Sequence, residues 1–228
     1  MVRRRLRREP VAYILGQKGF RKIELAVDRR VLIPRPETEL LVELALELRP
    51  ASVLDVGTGS GAVALAIADE LPGCEVTATD TSAAALEVAR ANAERLGLAG
   101  RVEMVEGTLP PGPGEFDLVL ANLPYVSEAE WGGLEPEVTE WEPREALLAG
   151  SDGLDAIRAF LSERVRVFSR YPRRNTNSLN GIVGLEVGDG QAGAVGELLR
   201  EAGFVSVETR ADLAGIPRVV IGRRDGAA

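Results

Sequence analysis

Residues 52–61 read Ser52-Val53-Leu54-Asp55-Val56-Gly57-Thr58-Gly59-Ser60-Gly61, and the run Ala62 to Leu71 behind them has a helical pattern. An apolar strand that breaks into a glycine-rich turn and resumes as a helix is the nucleotide-binding opening of a doubly wound α/β fold. Glycines in such a turn take up positive φ and let a ligand come close to the backbone. No Gly-Lys-Ser/Thr follows, so the turn is not a Walker phosphate loop. A second strand, Glu75 to Thr79, runs into Asp80, nineteen residues beyond Gly61. That is where an acid is expected to meet ribose hydroxyls. Together these signals point to an adenosine-containing ligand, with Asp55, Gly57, Thr58, Gly59, Gly61, Asp80 and Thr81 as candidate contacts.

Downstream, a helix is expected over Ser82 to Leu96, with Ser82 as its cap and Leu86, Ala89, Ala93 and Leu96 on one face. A third strand, Arg101 to Val105, ends in Glu106-Gly107-Thr108. The loop Pro110-Pro111-Gly112-Pro113-Gly114 leads to a fourth, Phe116 to Ala121, and then to Asn122-Leu123-Pro124-Tyr125. In a doubly wound sheet the carboxyl ends of successive strands share one edge, and the first and fourth strands are neighbours across the switch point. Asn122 is therefore expected beside the glycine turn, and Gly107, Thr108 and Asn122 join the cofactor candidates. Trp131 to Gly153 is a long connection, read as a lid or acceptor wall, or as aromatic packing of Trp131 and Trp141. A helix over Leu154 to Phe168 follows. The stretch Ser169 to Asn180, holding three of the chain's five asparagines, reads as a polar surface loop. Strands are expected at Ile182 to Val187, Phe204 to Thr209 and Arg218 to Ile221, with a helix over Gln191 to Ala202.

Upstream, residues 1–34 read as a basic tail and an extended or hairpin-like arm, formed by Val11 to Gly16 and Gly19 to Val27; residues 35–228 form the main domain. The five arginines of Met1 to Arg8 read as a solvated terminus, with an RNA contact as the alternative. In Leu32-Ile33-Pro34-Arg35-Pro36-Glu37-Thr38-Glu39 two prolines hold Arg35 extended. Thr38 or Glu37 can then open a helix over Leu40 to Leu48. Either this is a plain helix cap, or Arg35, Pro36 and Glu37 stand at the mouth of an active site.

Composition narrows the chemistry. The 228 residues, 45% hydrophobic, suffice for one domain with a real core. No apolar stretch approaches a membrane span, and no hydrophobic segment follows the arginines as a secretory signal requires. Cys74 is alone, which argues against a disulfide framework and for a reducing, cytoplasmic setting; a packed thiol is its simplest reading. The chain has no histidine, which excludes Ser-His and Cys-His nucleophile pairs and imidazole metal sites. No metal is therefore expected, and the chemistry must run on carboxylates, amides, backbone groups or a cofactor. A net charge of −8 repels polyanions and argues against a stable nucleic-acid partner. The basic residues are 25 arginines against 2 lysines.

Asn122 to Tyr125 sets an amide, a rigid turn and an aromatic ring at the end of a buried strand. If the Asn122 side-chain oxygen and the Leu123 carbonyl each accept one N–H, the plane of an NH2 group is fixed and its lone pair can be turned toward an incoming methyl. Such alignment can supply ~7–11 kcal/mol of a methyl-transfer barrier. Tyr125 can cover the acceptor's apolar face, or it is simply a core tyrosine. Asn122, Leu123, Pro124 and Tyr125 are the catalytic candidates.

Residues 32–39 (LIPRPETE), 55–61 (DVGTGSG), Asn122 to Tyr125, Glu142 to Leu147 and 212–220 (DLAGIPRVV) together resemble the HemK/PrmC-type peptide chain release factor glutamine methyltransferases. The resemblance runs from about Glu9 to Arg224. It implies transfer of a methyl group from S-adenosylmethionine to the N5 of the glutamine in the Gly-Gly-Gln loop of a release factor. It further implies that Asn122 and Leu123 bind the glutamine amide, Tyr125 packs on it, and Gly57, Gly59 and Asp80 hold the cofactor. The fold implied is a seven-stranded sheet with its last strand antiparallel, in a protein expected to be monomeric. Leu123 stands where the family has proline, and Thr108 where its members often carry an acid. About eight residues precede the arm, where relatives have a helical domain, and Ser169 to Asn180 lacks their Pro-Gly-Gly turn. The open alternatives are an adenine N6-methyltransferase, a nicotinamide-dependent oxidoreductase reading Gly57-x-Gly59-x-x-Ala62 as its fingerprint, and a cofactor binder without turnover.

Overall fold

The structure is a computed structural model that describes residues 1–110, 116–168 and 181–224, with the backbone alone for 163–168. The expectations for most of the proline-glycine loop and for Ser169 to Asn180 fall outside the described residues. Two short helices, α1 (Val2–Arg5) and α2 (Val11–Leu15), precede an antiparallel hairpin of β1 (Gln17–Phe20) and β2 (Ile23–Ala26). A 3-10 turn, Pro36–Thr38, enters α3 (Glu39–Leu48). Strands and helices then alternate: β3 (Ser52–Val56), α4 (Ala62–Glu70), β4 (Glu75–Asp80), α5 (Ala83–Arg95), β5 (Val102–Glu106) and β6 (Leu118–Ala121). The connection after β6 carries α6 (Glu128–Trp131), α7 (Pro136–Thr139) and a 3-10 turn at Arg144–Ala146. It is followed by α8 (Asp155–Phe168), β7 (Ile182–Glu186), α9 (Ala192–Glu201), β8 (Ser206–Ala211) and β9 (Pro217–Arg223).

Strand order is β5-β4-β3-β6-β7-β9-β8. The first five pair in parallel, and β9 runs antiparallel to both of its neighbours. This is the expected doubly wound, seven-stranded sheet with the last strand reversed. Chain direction across the sheet switches between β3 and β6, the crevice where such folds bind ligands. Strands buried on both faces should read as unbroken apolar runs, and Leu118-Val119-Leu120-Ala121 does so. One face of the sheet packs against α3, α4 and the hairpin residues Phe20, Ile23 and Leu25. The other packs against Ile157 and Phe160 of α8 and Val195 and Leu199 of α9. Each fully buried large side chain contributes about 1.5–3 kcal/mol.

Two local expectations need correction. Val11 to Gly16 is not extended: Pro10 caps α2, Tyr13 turns into the core with its hydroxyl donating to the Val31 carbonyl at 2.6 Å, and Gly16 closes the helix at φ 74°. The glycines that suggested an extended arm mark a helix end and one limb of the hairpin. Thr38 precedes α3, but its side chain makes no capping bond, being committed elsewhere. The hairpin is no loose arm. Asn92 of α5, fully buried, accepts from Ala26 N at 2.7 Å and donates to Ala26 O and Ser60 O at 3.0 and 2.9 Å. One amide thus stitches the hairpin to both α5 and the glycine turn. Among the described residues, no helix is long and apolar enough to cross a membrane.

Candidate active site

The glycine turn is held from β4. The Thr79 carbonyl accepts the N–H groups of both Gly57 and Thr58 at 2.9 Å. Asp55, buried at the end of β3, accepts from the Thr58 hydroxyl at 2.6 Å and from Ala64 N at 3.2 Å. Burial pushes its carboxyl up to about 6, against the pull of those two bonds. Gly57 has φ 74°, and a Cβ there would lie 3.3 Å from Leu123 Cδ2 and 3.6 Å from the Asn122 carbonyl oxygen. Glycine is what lets the β3 turn and the β6 turn close on each other. Asp80 braces the same turn: Oδ2 accepts from Gly59 N and Oδ1 from Ser82 N, both at 2.9 Å.

A pocket opens along this edge. From the candidates of the sequence it is lined by Asp55, Gly57, Thr58, Gly59, Asp80, Thr81, Gly107, Thr108, Asn122, Leu123 and Pro124. Gly61 is not among its walls. A Cβ at Gly61 would meet Leu65 Cδ1 at 2.8 Å and Ala89 Cβ at 3.4 Å, so this glycine serves helix packing. Residues from two remote segments complete the lining: Val31, Leu32, Pro34 and Thr38 before α3, and Pro143, Glu145 and Ala146 from the long connection. An adenosyl group fits these residues. Each Asp80 oxygen accepts one backbone bond and keeps a lone pair for a ribose diol. The position of a Cβ on Gly59 is open space, and Val31, Ala85 and Leu123 offer apolar contact to a base.

On the acceptor side, Asn122 Nδ2 donates to Thr38 Oγ1 at 3.1 Å, and its Oδ1 has no partner among the described residues. Tyr125 does not line the pocket. Its hydroxyl donates to Glu186 Oε1 at a long 3.4 Å, and its carbonyl accepts from Gln191 Nε2 at 2.8 Å. Burial, then the charge of nearby Glu186, pushes the Tyr125 phenol well above its ordinary value. Arg35, Pro36 and Glu37 also lie off the pocket walls. Arg35 bonds Glu142 Oε1 at 2.5 Å, while Glu142 Oε2 accepts from Ile33 N at 3.1 Å. Three residues of this assembly are not singled out by the sequence as site residues: Thr38, read as a helix cap within the Pro34–Glu39 segment that the resemblance sets at the border of the site; Glu142, read within a motif; and Glu186. The one available signal for Glu186 was an acid closing an otherwise apolar strand at the edge that carries the site.

Residues 36–133 match the methyltransferase small domain family. A release factor glutamine methyltransferase of Gloeobacter violaceus is 44% identical over 221 residues, covering 93% of this chain and 73% of that protein. One of Geobacter sulfurreducens is 42% identical over 227 residues, covering 98% and 76%. The chain belongs to the release factor glutamine methyltransferase family. Its fold is also that of a methyltransferase from Pyrococcus furiosus (TM-score 0.61, 22% identity, 88% of each chain) and of the hMettl16 catalytic domain (TM-score 0.69, 15% identity, 90% and 77%). At such identities the likeness speaks to architecture alone. Family membership and geometry meet in one respect: the Pro34–Glu39 segment, the Asn122 turn and the Glu142 segment converge through the Thr38–Asn122 and Arg35–Glu142 bonds.

Proposed function

We propose that this protein methylates the N5 amide nitrogen of the glutamine in the Gly-Gly-Gln loop of a peptide chain release factor, with S-adenosylmethionine as donor. The observation that carries the reading is the polarity of Asn122. Its nitrogen is engaged by Thr38, so its oxygen is left to accept, in a residue that lines a pocket suited to an adenosyl group. A primary amide has two N–H groups and a delocalised lone pair; it is a weak nucleophile unless its plane is fixed. Asn122 Oδ1 and the Leu123 carbonyl would each take one N–H, leaving the face of the nitrogen toward the donor. Asp80 would hold the ribose, the turn at Gly57 and Gly59 would admit the cofactor's amino-acid end, and Tyr125 would cover the glutamine side chain. When bound, S-adenosylmethionine would supply an activated sulfonium methyl to the amide nitrogen and leave as the neutral thioether, the nitrogen's proton passing to solvent. The chain's part is positioning, which needs no histidine base. On this reading residues 35–228 carry the transfer and residues 1–34 brace it. Incubation with labelled S-adenosylmethionine and either a release factor or DNA, followed by mapping of the label, is the test. Label on the Gly-Gly-Gln glutamine is expected; label on adenine, or none on that glutamine, overturns the proposal.

A further inference from the structure

Glu186 ends the strand Ile182-Val183-Gly184-Leu185-Glu186, whose other residues are all buried and apolar or glycine. It is 2% exposed, its Oε2 is buried without a hydrogen-bond partner among the described residues, and its Oε1 has a long contact from the Tyr125 hydroxyl. A buried carboxyl with a free oxygen is costly, and a strand that only had to pack would end in valine. The groups that face it come from three other segments. Thr38 and Glu37 belong to the 3-10 turn, Tyr125 follows β6, and Arg218 lies on β9. Arg218 is bonded to Asp212 at 3.0 Å, so it acts on Glu186 only at a distance.

Thr38 has one hydroxyl proton. Its oxygen accepts from Asn122, which leaves that proton to be donated to another neighbour. The Glu186 carboxyl is the acceptor beside it, and the hydroxyl favours that carboxyl's charged form. A hydroxyl that faces a carboxylate turns its proton to it. Its oxygen then has to accept from its other neighbour, which selects Asn122 Nδ2 over Oδ1. With the amide reversed, an N–H of Asn122 would face the N–H of the acceptor, and no bond could form.

We propose that Glu186 is a positioning residue for methyl transfer, fixing through Thr38 which end of the Asn122 amide meets the acceptor nitrogen. The inference rests on the function proposed above. Glu186 does not line the pocket, so it acts on transfer without touching the cofactor. Burial lifts its carboxyl to about 7, with Thr38 and Tyr125 opposing and Glu37 reinforcing the rise. Once protonated it can donate to Thr38, and the preference for the productive amide orientation is lost. Transfer therefore increases with pH through about 7.

The test measures kcat, cofactor affinity and the pH profile of label transfer to a release factor for the wild type, Glu186→Gln, Thr38→Val and Thr38→Ser. Glu186→Gln and Thr38→Val are expected to lower kcat roughly 10- to 100-fold, the range for a misaligned reacting group. S-adenosylhomocysteine affinity should change less than threefold for Glu186→Gln, and the acid limb near pH 7 should vanish. Thr38→Ser, which keeps the hydroxyl, should recover most of the rate lost in Thr38→Val. The double variant should be no slower than the worse single one, because both break one chain of contacts. Wild-type kcat with an intact acid limb in Glu186→Gln overturns the proposal, as does equal loss of cofactor binding and transfer. Should Glu186→Gln fail to fold, Thr38→Val decides alone, and a wild-type rate there is fatal. A wild-type protein that labels no glutamine overturns the functional reading and this inference with it. A labelling wild type with indifferent variants overturns this inference only.

Discussion

Asn122 was legible as a site residue because an amide-leucine-proline-tyrosine turn at the end of a buried strand has few structural uses. Its partner was not. The Thr38 hydroxyl lies 84 residues away, and the same residue type before a helix reads as a cap. Gly57 and Asp80 could be found from spacing, whereas Gly61 looked equivalent to Gly57 and differs only in what a Cβ would strike. Two substitutions test the turn itself. Asn122→Ala should lower transfer at least ~100-fold, the effect of losing the alignment of a reacting group. Cofactor affinity, measured by calorimetry, should stay within a few-fold; equal loss of both would make Asn122 a structural residue. Leu123→Pro should leave the rate unchanged or raise it several-fold. Among the described residues Leu123 N donates no backbone bond, so proline removes none there. Its ring is shorter than the leucine side chain, which reaches toward Gly57 at the pocket. Restored rigidity is worth ~0.4–1 kcal/mol by analogy with proline effects on stability. A collapse of kcat would show that the turn depends on the leucine side chain.

At the scale of elements, the order of strands and helices followed from periodicity and glycine placement, and the sheet order followed from the doubly wound pattern. What escaped was short: α2, whose five residues give too few turns for a helical period to show, and the segments that meet only in three dimensions. The Pro34–Glu39 turn and the long connection are joined by Arg35 and Glu142, 107 residues apart. Glu142 is 2% exposed in its side chain and Arg35 30%, so the pair is screened on one side only. Arg35→Ala leaves a buried carboxylate oxygen unpaired and should destabilise the fold by about 1–3 kcal/mol in urea titrations. Because Leu32, Pro34, Pro143 and Ala146 line the pocket from these two segments, cofactor affinity should fall with it. Adding Glu142→Ala should cost less than the sum of the two single losses. Additive losses, or intact cofactor affinity in Arg35→Ala, would mean that the segments are held independently.

For the whole molecule, the buried and the surface carboxyls pull stability in opposite directions with pH. Arg30 holds Asp28 and Arg21 holds Glu70 below the ordinary range, and the backbone N–H of Ile216, then Arg218, does the same for Asp212; the stability these acids add is present above about pH 4 and is lost as pH falls through their lowered values. Solvent screening keeps the contribution of the half-exposed Asp28 small. Asp55 and Glu186 behave in the reverse sense. Their folded forms bind a proton more tightly than the unfolded chain does, so stability is lost as pH rises from about 4 through about 6 for Asp55 and about 7 for Glu186. For Glu186, a rise from the ordinary 4.5 to about 7 amounts to roughly 3 kcal/mol. Maximum stability is therefore expected near pH 4–5, where Asp55 and Glu186 are neutral and the paired acids are largely charged. Methyl transfer, which uses the charged Glu186, should run the other way and be fastest above pH 7. Urea titrations and kcat measured on the same samples between pH 5 and 8.5 should cross: falling stability, rising rate. In Glu186→Gln the stability curve should flatten over pH 5–8, and the variant should match or exceed the wild type in stability at pH 8 while remaining slow. A variant that is both unstable and slow at pH 8 would mean that the buried carboxylate holds the fold together, and that its effect on transfer is a consequence of that.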